Sequence, residues 1–496
     1  MKVLSLRRAA LLVPAVGIAL VLPSAASAAP GDATVAAHAP GLVGSPILLE
    51  NNASFSGYDV AVDGTGRTYV GWISSSNSNS AGRKVHLCTL APGGTRCVGG
   101  IQTIDSLGAS SAEGLRVLAT SSGKVTLVWF HDTSPGSGNG PRGGRIATAT
   151  SQSGGTLSAA TDVEDAPSYG ALLDAELGPN GTLWTLAYKG VPTTSVELRE
   201  GTSATLQTLK TPYGVGYGEI AIHGSSAVVA IQKYGSITVP IGVSHASSSG
   251  GSWSAFKAVA HTWSAGWNPG LVSAKSGIRL YASVDNADYS PVVAKWTGTS
   301  FSRPTLIGDT NSCTPNSHDP VADASGRVVD VTDECGKITV TNLPDTTHAS
   351  IVRFSDRGTE AGGSPQIAST PSGKAVVAWS IESSNGDRLY AARVLLPALR
   401  GTATKSVSHG RVTVTGPKSC LPAVSVAVSV TGRPASGWKV ASKTLKLGSK
   451  KVGSSLNGAS LTAGSAYSLV GTVVFSKAGS HVKASAALKF RTCPKP

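Results

Sequence analysis

The chain has 496 residues, with 42 Lys and Arg against 28 Asp and Glu, a formal net charge of +14 and only 5% aromatic residues. Helical periodicity is missing throughout, short β-branched runs alternate with Gly, Ser and Asn clusters, and nothing beyond the N-terminal segment is apolar for long enough to span a bilayer. This excludes a helical bundle and a helical membrane protein, and it points to an all-β chain.

Residues 1–28 carry Lys2, Arg7 and Arg8, an apolar stretch from Ala9 to Leu22, and Ala26-Ser27-Ala28, the small-x-small form of a cleavage site. Pro14 and Pro23 bracket a run shorter than the roughly 20 residues a membrane anchor needs. A secretory signal peptide is expected, with the Arg7-Arg8 pair leaving the general and twin-arginine routes both open. Residues 29–39 read as a linker.

From there a hairpin recurs. YDVAVDGTGRTYVGWIS, residues 58–74, turns at Gly64 and Gly66, and the same pattern returns around Gly123, Gly181, Ser226, Gly277, Gly326 and Gly373. The spacing of about 45 to 58 residues suits propeller blades of four strands. Second hairpins follow at 145–163, 241–260 and 292–308. The last unit, ending in RLYAARVLLP at 388–397, lacks an outer strand, and SPILLEN at 45–51 has the character to supply it. The expectation is therefore a seven-bladed β-propeller over residues 40–397, closed by an N-terminal strand so that no sheet edge stays free.

Two outer turns carry a family resemblance. ASSSGGSW, Ala246 to Trp253, resembles a degenerate Asp-box, keeping Gly250 and Trp253, and TSQSGGTL, Thr150 to Leu157, keeps Thr150, Gly154 and Thr156. The chain is thus similar to the secreted bacterial sialidase-like propellers, in which this box is a folding element remote from the site. The resemblance implies the architecture. The arginine-led segment that the sialidase reaction needs ahead of the first blade is absent, because the first arginine after the leader is Arg67.

Seven residues before each turn mark stand Asp59, Arg116, Asp174, Glu219, Gly270, Asp319 and Gln366, and the next positions hold Val60, Val117, Ala175, Ile220, Leu271, Pro320 and Ile367. Period-two alternation sends the polar row to a central channel and the apolar row between blades. The row should converge on one mouth, where gathered carboxylates raise one another's pKa unless Arg116 or a cation offsets them. Asp174, Glu219, Asp319 and Asp59 are candidate acids and bases. Arg116, Tyr58, Tyr217, Trp263, Trp267, Asn268 and His318 are candidate ligand contacts, because aromatic faces beside amides and carboxylates suit a polyhydroxylated ligand. Water-filling of a polar channel and packing of aromatics between loops are the competing readings. No phosphate loop, His-x-x-x-His or EF-hand spacing is present, and no metal or cofactor is expected.

Residues 400–496 differ in kind. They hold fifteen Lys and Arg and no Asp or Glu, whereas residues 29–399 hold 24 basic against 28 acidic residues. Alternating runs such as AVSVAVSV and YSLVGTVVF read as a small immunoglobulin-like β-sandwich. The six cysteines fall into neighbouring pairs, Cys88 with Cys97, Cys313 with Cys335, and Cys420 with Cys493, and local closure favours these three disulfides among fifteen pairings. The charge asymmetry points to a glycan or an anionic cell-envelope polymer rather than nucleic acid. The leading reading is a secreted monomer, retained at the cell surface by its basic module, that binds a carbohydrate or another surface polymer. The alternative is a carbohydrate-active, sialidase-like hydrolase using channel-mouth carboxylates, and a third reading is a purely structural repeat.

Overall fold

The computed structural model describes residues 41–492 apart from short connecting segments, among them 105–111, 153–154, 164–170, 248–250, 264–268, 307–318, 323–327, 334–337, 370–373, 418–419 and 422–424. The described residues are all-β, with a single 3-10 turn at Gly458–Ser460 and otherwise strands in many small sheets, antiparallel except where Cys420–Leu421 runs parallel to Ser480–Thr492.

Each hairpin of the repeat opens a four-stranded antiparallel meander. The inner strands, first in each meander, are the later half of Gly41–Val62, then Ala112–Ala119, Ala171–Leu177, Val215–His223, Gly270–Ala274, Asp319–Ala322 and Gln366–Ser369. Turn glycines Gly66, Gly123, Gly181 and Gly277 have φ of 83°, 88°, 73° and 108°, a region closed to most L-residues, which is why the mark recurs as glycine. In the fourth meander the pairing His223↔Ser226 moves the turn onto Gly224.

The first strand is 22 residues long and serves two sheets. Its later half pairs with Thr68–Ser75, while its earlier half pairs with Asp387–Leu395, from Gly41↔Leu395 to Ala53↔Asp387. The 45–51 segment is thus the missing outer strand of the seventh meander, as expected. Glu50 fastens it: its carboxylate accepts from Trp72 Nε1 and from Ser74 Oγ (2.9 Å), both on the neighbouring strand of the first meander.

Apolar packing runs in cyclic order. One cluster joins the first meander to the second (Tyr69, Ile73 and Leu87 on Leu115, Val117 and Trp129), and others join the second to the third, third to fourth, fourth to fifth, fifth to sixth and sixth to seventh. A further cluster returns from the seventh to the first, placing Val376, Ala378 and Leu389 against Val60, Val70 and Trp72. Burying a side chain of this size is worth about 1.5 to 3 kcal/mol. The sheets are therefore held chiefly through their faces. Trp253 packs edge-on against Trp184 of the preceding meander, centroids 6.3 Å apart.

Cys88 and Cys97 form a disulfide between the third and fourth strands of the first meander. Cys313 and Cys335 lie outside the described residues. For the last pair, the backbone of Cys420 is the register partner of Arg491, and Cys493 lies outside the described residues.

Beyond residue 400, a three-stranded sheet (Arg400–Val407, Gly410–Pro417, Ser429–Pro434) shares one core with a five-stranded sheet that includes Lys439–Leu447, Lys450–Lys451, Ala466–Lys477 and Ser480–Thr492. Val412 and Val414 meet Leu469, Val473 and Phe475 there, all fully buried. Gly471 allows the approach, since a Cβ at that position would stand 2.4 Å from Val414.

Candidate functional site

In the polar row, Gly270, Asp319 and Gln366 stand at the starts of their inner strands, whereas Asp59, Arg116, Asp174 and Glu219 sit further in, because the first four inner strands begin earlier. The extra length is irregular. Each of those four strands carries a bulge shortly before its row residue: Ser56, Gly114, Leu173 and Gly216 are the residues skipped by the pairing. A bulge takes its extra residue out of the strand ladder and re-aims the chain. Gly114 is suited to it, with φ of +59° and the Leu172 carbonyl oxygen 2.8 Å from where a Cβ would stand.

All four bulge residues line one pocket of about 460 Å³. It is built from the inner strands of the first four meanders together with Ser364, Gln366 and Ser380 of the seventh, and its side chains include Phe55, Tyr58, Arg116 and Tyr217. The four candidate carboxylates are not among its lining residues.

Those carboxylates have another use, which the register makes legible once the sheets are assembled. Asp59 Oδ2 accepts from the backbone N–H of Val117 at 2.6 Å, Asp174 Oδ2 from Ile220 at 2.9 Å, Glu219 Oε2 from Leu271, and Asp319 Oδ2 from Ile367 at 2.6 Å. In each case the acceptor is a row acid and the donor is the apolar-row residue of the next inner strand. Arg116 adds the link from the second inner strand to the third: its Nε pairs with Asp174 Oδ1 at 2.6 Å and its Nη2 donates to the Leu173 carbonyl at 3.1 Å. The row therefore stitches neighbouring inner strands together. The apolar row is buried, as alternation requires, with Val60, Val117, Ala175, Ile220, Leu271 and Ile367 all under 9% exposed.

The acids do come near one another, and their ionisation responds. Burial pushes Asp59 up to about 6 against the pull of Arg116. Burial and then Asp59 push Asp319 up to about 8. Glu219 is raised well above its ordinary value by burial and by Asp174. Burial alone would lower the Arg116 guanidinium, but Asp174 and Asp59 hold it above its usual value. Glu176 was missed by the register count. It lies two residues beyond Asp174, on the same strand face, and burial followed by Asp174 and Asp59 raises it to about 8. Extending the row by one alternation would have found it. Among the described residues no hydrogen bond falls to its carboxyl.

Of the aromatic candidates, Tyr217 borders the pocket half-buried, as does Phe55 beside it, whereas Tyr58 is a core residue whose hydroxyl accepts from the Ser380 N–H at 3.3 Å. Tyr213 is also structural, donating to the Ile231 carbonyl and accepting from the Gly242 N–H at 2.8 Å. Trp263 ends the outermost strand of the fourth meander, paired in register with Pro240. Its side chain, together with Trp267, Asn268 and His318, lies outside the described residues. Among the described residues no group of three or more His, Cys, Asp or Glu is arranged to hold a metal.

No protein-family model matches this chain, and no curated protein matches it. Solved structures similar to it include a protein of unknown function from Dyadobacter fermentans, 8% identical over 72% of this chain and 99% of that one, with a TM-score of 0.45. A polysaccharide lyase described as an ulvan lyase is 11% identical over 72% and 94%, TM-score 0.44. The NanB sialidase of Streptococcus pneumoniae is 10% identical over 71% and 70%, TM-score 0.42. Likenesses this distant assign neither substrate nor reaction to the chain.

Proposed function

We propose that residues 40–397 form a seven-bladed propeller whose channel mouth binds a carbohydrate, and that the exported chain is held near the cell envelope by the basic β-sandwich of residues 400–496. The cyclic packing of the meanders supports the propeller, and the two Asp-box-like outer turns agree with it. The observation that carries the binding reading is the single pocket into which four successive bulges open. Sugar hydroxyls need many oriented donors and acceptors beside an apolar face. Backbone groups at the bulges, Ser56, Ser364, Gln366 and Arg116 are the polar partners, and Phe55 and Tyr217 are the rings.

The four row acids are engaged with backbone N–H groups, and this favours binding over turnover. One observation favours the enzyme alternative, namely Glu176, a half-buried carboxyl raised to about 8 and so protonated at neutral pH, the state a general acid requires. A glycan array with a parallel hydrolysis screen separates the two. Tyr217→Ala should weaken ligand affinity by about tenfold, from the loss of roughly 1 kcal/mol or more of ring contact. Unchanged affinity in that variant would remove the mouth as the site. Turnover abolished by Glu176→Gln with binding retained would establish the enzyme instead.

A further inference from the structure

The cations of residues 400–496 are not spread evenly. Along Ser480–Thr492, Ala484, Ala486, Leu488 and Phe490 are buried in the shared core, so Lys483, Ser485, Ala487, Lys489 and Arg491 face outward. Register carries that outer face across the sheet: Val474 lies opposite Lys483, Thr472 opposite Ser485, Val470 opposite Ala487 and Ser468 opposite Lys489. Further on, Lys439 pairs with Ser476, Lys446 with Val470, and Lys451 with Lys446. One face thus presents Lys439, Lys446, Lys451, Lys483, Lys489 and Arg491, all exposed, around a flat centre of Ser, Thr, Ala and Val.

Two further observations point to a ligand. Lys446 and Lys451 are direct register partners, an arrangement that destabilises a sheet, and no Asp or Glu anywhere in residues 400–496 offsets it. Across the sheet, a pocket of about 610 Å³ is lined by Ala466, Tyr467, Ser468, Lys489, Phe490 and Arg491.

We propose that this face binds a linear phosphodiester polymer, laid along Ser480–Thr492 with one anionic group seated between Lys489 and Arg491. This deepens the anchoring half of the proposed function and rests on it. Eleven of the fifteen cations in the segment are lysines, compact point charges that can hold the single charge of a phosphodiester without the fixed bidentate geometry an arginine fork imposes. Alternate residues on a strand are about 7 Å apart, a spacing that suits charges recurring every few atoms along a chain. The small side chains between the cations let such a chain lie flat. Single-stranded nucleic acid needs free aromatic faces. Tyr467 and Phe490 are stacked on one another, centroids 5.7 Å apart, Phe475 is fully buried, and Trp438 packs edge-on against His409.

The test is retention of the full-length protein on immobilised poly(glycerol phosphate) at low and high salt. The triple variant Lys483→Gln, Lys489→Gln, Arg491→Gln should bind about tenfold more weakly, as expected for three exposed ionic contacts of a fraction of a kcal/mol each. Lys405→Gln, Arg411→Gln, Arg433→Gln removes the same charge from the three-stranded sheet and should change affinity by less than about twofold. Thermal unfolding checks that both variants fold. Equal loss in the two triples would show that net charge alone binds, and no loss in the first would remove the face; either result overturns the proposal. Displacement by duplex DNA or dextran sulfate at lower concentration than by free poly(glycerol phosphate) would overturn the choice of occupant. Tyr217→Ala should leave polymer retention unchanged, so failure of the channel-mouth reading is seen separately in the glycan assay.

Discussion

Replacing Asp59 separates its two parts, acceptor and charge. Its carboxyl accepts from the Val117 N–H of the next inner strand, and burial raises it from 3.8 to about 6. At about 1.4 kcal/mol per tenfold change in the ionisation constant, the ionised form costs about 3 kcal/mol relative to the unfolded chain. The direction of the shift sets the sign. A carboxyl raised in the folded state favours folding most fully below about pH 4, and that contribution is lost as pH rises through about 6. Asp59→Asn keeps an oxygen to accept from Val117 but carries no charge. Urea unfolding at pH 4 should therefore find Asp59→Asn close to the wild type, and at pH 8 more stable by up to about 3 kcal/mol. Asp59→Ala leaves the buried Val117 N–H without its acceptor and should lose about 1 to 3 kcal/mol at pH 4. If Asp59→Asn were the less stable protein at pH 8, the carboxylate would have to be stabilised by Arg116 beyond its burial cost, and the reasoning would fail. If Asp59→Ala matched Asp59→Asn at pH 4, the link between inner strands would be worth nothing.

With Asp319 and Glu176 each raised to about 8, the wild-type protein should lose stability as pH rises from 6 to 9, read as a falling midpoint in thermal scans; a midpoint rising over that range would contradict the burial of these acids. Gly114→Ala puts a Cβ against the Leu172 carbonyl oxygen at positive φ, so it should cost about 1 to 3 kcal/mol and weaken glycan binding at the mouth, whereas an unperturbed variant would mean that the bulge is not rigid. Non-reducing peptide mapping should return Cys88 with Cys97, Cys313 with Cys335 and Cys420 with Cys493. Serine replacement of the short Cys88–Cys97 loop should cost about 2 kcal/mol in the first meander, and a peptide linking one half of a pair to a different cysteine would refute local closure for that pair.

Periodicity alone determined that this chain is all-β, that its hairpin recurs, and that the 45–51 segment belongs with the strand at 387–395, because each is a local pattern of alternation or its visible absence. Alternation also separated the buried Val60, Val117 and Ile220 from their polar neighbours. Tertiary structure decided what those neighbours do. The partner of Asp59 is a backbone amide 58 residues away, and no local pattern identifies a hydrogen-bond donor that only sheet packing brings within reach. The bulges at Ser56, Gly114, Leu173 and Gly216 were hidden for the same reason: a skipped residue exists only relative to the strand it fails to pair with. Their gathering around one pocket, with Arg116 and Tyr217 on its wall and the carboxylates outside its lining, comes from the cyclic stacking of sheet faces, a long-range outcome that a period of two along one strand cannot express.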